Sequence, residues 1–443
     1  MDSLSICLPN APAFTLVQAA PPPPLAGWRW LEQKISPDGA EMTGCALVTL
    51  RGAGIREWLE GLEAVLTAAR HTPFARLERR AAPGDEPLSA DLYEGWLEAD
   101  PLQQSTARGG FSLRLYLRHS AVWRKAAAAL PLSNASGQRL EGGITFYNHH
   151  DGESGHQNFA DLSAADLSGA QPAPLGLHLR LSEPPGSSFQ RVILSAGSGL
   201  QWGGEAFPHV LEGEAALPGS DATFTAVLTD AAAGGGAYRR VEWTRPDSAA
   251  LLRWTLSAYL LGFCAGRLFR PVLRLSGPPP EGVYLRWSLL ESGGHLLEES
   301  PPSPLQAGHT LQATAGLNLP PRWLPAINPA ALTLELRAES RDSSTKRLDV
   351  DFIQLLPAEG WLQLDAVNGA AGDDLWVDGD YRAAFTLHSG GQTAFTHTFS
   401  GAPPRLLPGL DYRLYLLWET ESGSPVNSRC EVQAFYAPRV KLP

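Results

Sequence analysis

Between Leu175 and Pro357 the chain is a succession of short alternating runs, and nothing else in it restricts the fold so strongly. GLHLRL, RVILSA, HVLEGEAAL, ATFTAVLT, RWTLSAYLLGF, LFRPVLRL, VYLRWSLL, HTLQATAGLNL, LTLELRAE and LDVDFIQLLP follow one another. Most set an apolar residue at every second position, the period of a strand with one face in a core. Turn-formers such as Gly234-Gly235-Gly236 and Pro278-Pro279-Pro280 separate the runs, and 44 Gly with 37 Pro among 443 residues leave little room for long helices. The pattern predicts a mainly-β chain in which residues 170–357 form a jelly-roll β-sandwich.

One segment breaks the period. Ile55, Trp58, Leu59, Leu62, Val65, Leu66 and Ala69 recur at helical spacing, so Ile55 to Arg70 is predicted as a helix with one buried face. Gly52-Ala53-Gly54 precedes it. A dinucleotide fingerprint would need a third glycine where Glu57 stands, and a carboxylate there repels phosphate, so the glycines read as a turn leading into the helix. Around the helix, Trp28 to Ile35 and Cys45 to Leu50 read as strands flanking a Pro37-Asp38-Gly39 turn. Leu77 to Arg80, Leu92 to Leu97 and Phe111 to Arg118 read as further strands. In the last, Phe111, Leu113, Leu115 and Leu117 point inward, with Ser112, Arg114, Tyr116 and Arg118 outward. Residues 1–165 are thus expected to form an N-terminal β-domain with one helix. Residues 358–443 read as strands again, either a small domain or a return onto the first.

The densest set of potential metal ligands, His149, His150, Asp151, Glu153 and His156, lies in the stretch Gly142 to Leu181. His149 and His150 are adjacent and would diverge on a strand, and Gly152, Ser154 and Gly155 favour a loop. No HExxH or CxxC accompanies them, so a polar connecting loop is the expectation and no metal or cofactor is assigned. The loop Gly372 to Tyr381 supplies Asp373, Asp374, Asp378 and Asp380 without the order of a calcium loop. Asp349 and Asp351 alternate with Leu348, Val350 and Phe352, so both are expected to face outward, as carbohydrate-binding or solvated residues.

Composition narrows function. A net charge of −11 argues against a general nucleic-acid binder. Cys7, Cys45, Cys264 and Cys430 are too sparse for a disulfide framework. MDSLSICLPNAPAF has no basic n-region or apolar core of a signal peptide, and no apolar run reaches membrane-spanning length. Thirteen Trp suit interfaces or sugar-stacking platforms. Trp202, His209, Trp243, Trp254, Trp287 and Trp323 are candidate platforms. Trp254 and Trp287 sit in alternating strands and read as core, whereas Trp202 in GLQWGGEAF and Trp323 in LPPRWLP lie in turn-like sequence. No G-x-S-x-G is present, and no enzyme activity is expected.

The order of elements and several phrases resemble the minor tail proteins of long-tailed bacteriophages, and in outline the distal tail proteins. These phrases are LRLYLRHSAVW, a YNH-x-DG loop, a PAPL segment, LRWTLSAYLLGFCAGRLFRPVLRL, LDVDFIQLLPAEGW and the closing LPGLDYRLYLL…AFYAPRVKLP. The resemblance implies a β-domain with one helix beside a galectin-like sandwich, a homo-oligomeric ring (hexamer or trimer) that joins tail tube to tip, and other tail proteins as partners. It also implies a virion tail location after synthesis in the host cytoplasm, and no catalytic residue. Trp28, Trp30, Trp123 and Pro22 of the proline arm are the candidates for the ring interface, with the core as the alternative place for each. The rival reading is an adhesin that binds host-surface glycans through Trp202, Trp323, Asp349 and Asp351.

Overall fold

In the computed structural model the chain is mainly β, built from antiparallel sheets with a single helix near the N-terminus among the described residues, as the alternation predicts. The structure describes residues 3–18, 24–72, 74–82, 84–99, 110–148, 156–183, 187–199, 210–256, 266–291, 293–319, 332–365, 367, 372–380, 383–388, 393–420 and 428–441. No described helix is long and apolar enough to cross a membrane. Two compact units exchange pieces of chain. The first holds Met1–Ala128, Ser168–Ala173 and Ala437–Pro443, and the second Ala129–Leu167 and Pro174–Tyr436. The expected segments were contiguous. Here residues 129–167 belong with the second unit, and of 358–443 only the last seven belong with the first.

In the first unit the strands run in the order Phe14–Gln18, Ser3–Cys7, Arg76–Arg80, Leu88–Ala99, Gly110–Ser120, Glu41–Arg51, Leu25–Ile35. The helix Ile55–His71 begins after Gly54, whose φ of 83° lets the backbone turn from strand to helix without a Cβ penalty. It buries Leu62, Leu66 and Ala69 against the sheet, each leucine contributing roughly 1.5–3 kcal/mol relative to exposure. Close approach requires Gly95: a Cβ there would stand 2.4 Å from Leu66 Cδ2. Trp28 and Trp30 meet edge to face at 5.4 Å and pack half-buried on the same core, and Trp123 is part of it at 6% exposure. Trp123 is therefore core in this unit, the second of the two places open to it, and not an exposed interface residue. Pro22 lies outside the described residues. The strand Arg439–Lys441 pairs with Val122–Arg124, and Ala170 and Gln171 donate to the Arg439 carbonyl from its other side.

The second unit is a stack of four sheets. Sheet I comprises Leu217–Pro218, Ala249–Thr255, Thr333–Ser340, Val283–Leu290 and Leu296–Glu299, with Ser303–Pro304. Sheet II comprises Phe224–Thr229, Ala237–Trp243, Lys346–Pro357, Leu268–Leu275 and Leu311–Ala313, with Val210–Glu212 and Leu317–Asn318. These two enclose a core around Trp243, Trp254, Trp287, Leu285, Leu336 and Val350. This sandwich, residues 210–357, is inserted between strands of a second pair. Sheet III holds Arg139–Leu140, Leu132–Ser133, Phe159–Leu162, Tyr412–Thr420, Phe189–Ser198, Gly360–Asp365 and Phe399–Gly401. Sheet IV runs Ile144–Tyr147, Arg429–Tyr436, Ala173–Glu183, Asp374–Asp378, Ala383–Leu387, Thr393–His397. Sheet II packs on sheet III through Val272, Phe352 and Leu356 against Phe159, Ile193, Tyr415 and Leu417. Strand Tyr412–Thr420 is buried along its whole length because Leu414, Leu416 and Trp418 are covered on the side away from sheet II.

Candidate functional site

Strand Lys346–Pro357 corrects the expectation for Asp349 and Asp351. Both lie opposite the Leu348 and Val350 face, as alternation requires, yet they are 6% and 0% exposed. Arg240 and Arg347 close over Asp349, the Gly234 turn and Arg274 close over Asp351, and the register slips by one residue at Asp351, which has no partner of its own between Arg274 paired with Phe352 and Leu275 paired with Val350. Asp351 Oδ1 accepts a hydrogen bond from the Gly234 N–H at 2.8 Å, and its Oδ2 lies 3.3 Å from Arg274 Nε. Burial pushes its carboxyl up to about 7 against the pull of Arg274, with Glu212 and Glu214 pushing the same way as burial. Burial would also raise Asp349, but hydrogen bonds from Arg240 and Arg347 outweigh it and hold that carboxyl below the usual range. These carboxylates are internal ion-pair members, closed to a sugar or a calcium ion in this conformation.

The layer between sheets II and III carries buried polar contacts of its own. Asn158 and Gln354 exchange two amide hydrogen bonds at 2.7 and 3.2 Å. Glu419, 1% exposed, accepts from the N–H groups of Thr310 and Leu311 and lies 2.7 Å from His309 Nδ1. Arg191 Nε donates to Asp365 at 2.6 Å and Nη1 to the Leu311 carbonyl at 2.5 Å. These contacts satisfy each other. They join layers; they do not form a site.

The outer face of sheet IV is different. Its apolar face is buried through Leu175, Leu177, Leu179, Leu375, Val377, Val432 and Ala434, while the alternate residues are half-buried or exposed. The pairing register sets His178 beside Trp376 and Gln433, Trp376 beside Phe385, and Arg180 beside Asp374 and Glu431. The His178 ring stacks on Trp376 at 4.4 Å and 14°, and Trp376 stacks on Phe435 at 5.5 Å and 28°. Arg180 clamps Asp374 with two hydrogen bonds of 2.7 and 2.8 Å, and His178 Nε2 is 3.0 Å from the same carboxylate. The Arg180 bonds lead in holding the Asp374 carboxyl below its ordinary range. Gln433 reaches the His178 ring at 3.4 Å and donates to the Gly142 carbonyl at 3.0 Å. Further along the face His156 stacks on Tyr147 at 3.6 Å, with the Arg429 guanidinium 5.3 Å from the Tyr147 ring.

Four members of this face, Tyr147, His156, His178 and Arg180, come from the stretch singled out for its ligand cluster. Of the cluster itself, His149, His150, Asp151 and Glu153 lie outside the described residues, and His156 is a stacking partner. Among the described residues no group of three or more His, Cys, Asp or Glu is placed to hold a metal ion. Trp202, His209 and Trp323 also lie outside the described residues. Trp243, Trp254 and Trp287 are core; the Trp254 indole donates to the Glu212 carbonyl and that of Trp287 to Thr314 Oγ1. Trp376 and Phe435 were missed, though alternation in DLWVD and EVQAFY already set them opposite buried neighbours.

Thr386 Oγ1 and His397 Nε2 are 2.5 Å apart, and burial lowers the His397 pKa. Thr386 is 3% exposed, so its hydroxyl is closed to a substrate in this conformation, and the nearby Asp373 carboxylate engages His388 at 2.9 Å. No protein-family model matches the chain, and no curated protein matches it.

Proposed function

We propose that this chain is a structural subunit near the tip of a phage tail or tail-like particle, joining tube to tip as one member of a homo-oligomeric ring. The resemblance of its element order and phrases to minor and distal tail proteins motivates the reading. The observation that supports a structural role is strand Lys346–Pro357, buried on both sides, which ties an inserted sandwich into a second one through apolar packing and the Gln354–Asn158 amide pair. Such a stack gives a stiff scaffold, as a connector between particle parts requires. Negative-stain microscopy of the purified protein, with light scattering over a concentration series, tests the reading. Closed rings of three or six copies are expected. A species that never exceeds two copies, alone or mixed with tail proteins, would overturn it.

Glycan contact is the second reading, favoured by the outer face of sheet IV. A saccharide offers apolar C–H faces and hydroxyl edges, and the His178–Trp376–Phe435 row bordered by Asp374, Arg180, Glu431 and Gln433 offers aromatic surface beside donors and acceptors. A glycan array comparing wild type with Trp376→Ala, Trp202→Ala and Trp323→Ala decides it. Binding lost only with Trp376→Ala supports this face; binding indifferent to Trp376→Ala removes it.

A further inference from the structure

Sheet II ends in a strand unlike most other sheet edges. Phe224–Thr229, sequence FTAVLT, contains no charge and no proline, and its pairing with Ala237–Trp243 is regular along all six residues. By contrast, edge strand Leu25–Ile35 carries Arg29, Glu32 and Lys34 and two register shifts, and Leu296–Glu299 ends in two glutamates. Leu217–Pro218 and Arg139–Leu140 are only two residues long. Charge, irregularity and shortness are how sheet edges avoid pairing with other chains. Among the described residues nothing pairs with the far side of Phe224–Thr229, and Phe224 and Val227 are 48% and 50% exposed.

Hydrogen-bond parity fixes what this edge can accept. The Asp230 N–H donates to the Gly236 carbonyl across the hairpin. Antiparallel alternation therefore turns the N–H and C=O groups of Phe224, Ala226 and Leu228 toward Ala237–Trp243, and those of Thr225, Val227 and Thr229 away from it. Two copies of the strand laid antiparallel satisfy every outward group in one register: Val227 faces its own copy on the two-fold axis, and Thr225 faces Thr229 on either side. Thr–Thr and Val–Val are favourable cross-strand neighbours, and no like charges meet. That matters for a chain carrying −11, whose copies repel over most of their surface.

We infer that the Phe224–Thr229 edge is a two-fold contact between copies of this chain, joining sheet II of one protomer to sheet II of the next about Val227. The inference rests on the assembly reading only in supposing that copies meet. A two-fold contact doubles whatever a ring interface builds. Val227→Pro is the sharpest test, because it removes an outward N–H and leaves the pairing with Ala237–Trp243 intact. The expected result is a particle mass halved in light scattering, with an unchanged far-UV circular dichroism spectrum. Val227→Cys should form an intermolecular disulfide under mild oxidation, well above the wild-type background, whereas Thr225→Cys should not. Rings whose mass is unchanged by Val227→Pro overturn the edge contact and leave the ring standing. A dimer that Val227→Pro converts to monomer leaves the edge contact standing and removes the ring. A monomeric wild type overturns the contact outright, as does cross-linking equally strong at 225 and 227.

Discussion

Strands GLHLRL and LDVDFIQLL carry almost the same alternation and meet opposite fates. In Ala173–Glu183 the polar residues His178 and Arg180 line the outer face of sheet IV, with the Arg180 side chain 53% exposed. In Lys346–Pro357 the polar residues Asp349, Asp351 and Gln354 are all buried: Arg240 and Arg347 close over Asp349, the Gly234 turn and Arg274 over Asp351, and sheet III over Gln354. Alternation reports that a strand has two kinds of face. It does not report whether water or a further layer covers the polar one.

That contrast can be broken experimentally. The largest effect is expected for Arg274→Met at about pH 10, three units above the folded value of Asp351, where the carboxyl must either stay charged without its ion pair or take up a proton against that pH. A loss of about 3–5 kcal/mol in urea unfolding is expected, and a loss under 1 kcal/mol would mean that water reaches the carboxylate. Next comes Glu419→Gln, which weakens the bonds from Thr310 and Leu311; about 1.5–3 kcal/mol is expected by the same assay.

The pH dependence sharpens the comparison further. Folded Asp351 holds its proton up to about 7, whereas an unfolded aspartate releases it near 3.8. The native state therefore binds the extra proton between those values, and this group's contribution to stability falls as pH rises through that window. Asp351→Asn should flatten that fall and cost within about 1 kcal/mol near pH 5, where the wild-type carboxyl is itself neutral. Denaturation midpoints that fall as steeply in the variant would assign the effect to another group. The smallest effect belongs to the surface: Arg180→Ala should cost less than about 1 kcal/mol, despite two short hydrogen bonds to Asp374, because solvent screens that pair.

Much of the fold was legible in the sequence. The helix at Ile55–His71, the Pro37-Asp38-Gly39 turn and most strands follow from period and turn chemistry alone. The interleaving of the two units was not, since strand pairing between residues far apart leaves no mark on either strand. Runs read as one strand also divided: HTLQATAGLNL supplies Leu311–Ala313 and Leu317–Asn318, with Gly316 packed so close to Leu268 that a Cβ would stand 2.8 Å from it. The aromatic row escaped notice for a related reason. Trp376, His178 and Phe435 lie on three strands scattered from 178 to 435, and only the register brings them together.

The strand Arg439–Lys441 carries a consequence for the order of events during synthesis. Its partner, Val122–Arg124, leaves the ribosome with the first unit, but the residues that close that pairing emerge after the whole of the second unit. The first unit can therefore collapse early around its helix, yet reaches its full strand complement only once the intervening sheets have been made. A ribosome that stalls among them releases a chain whose N-terminal sheet still lacks a strand, a state a quality-control protease can distinguish from the finished fold.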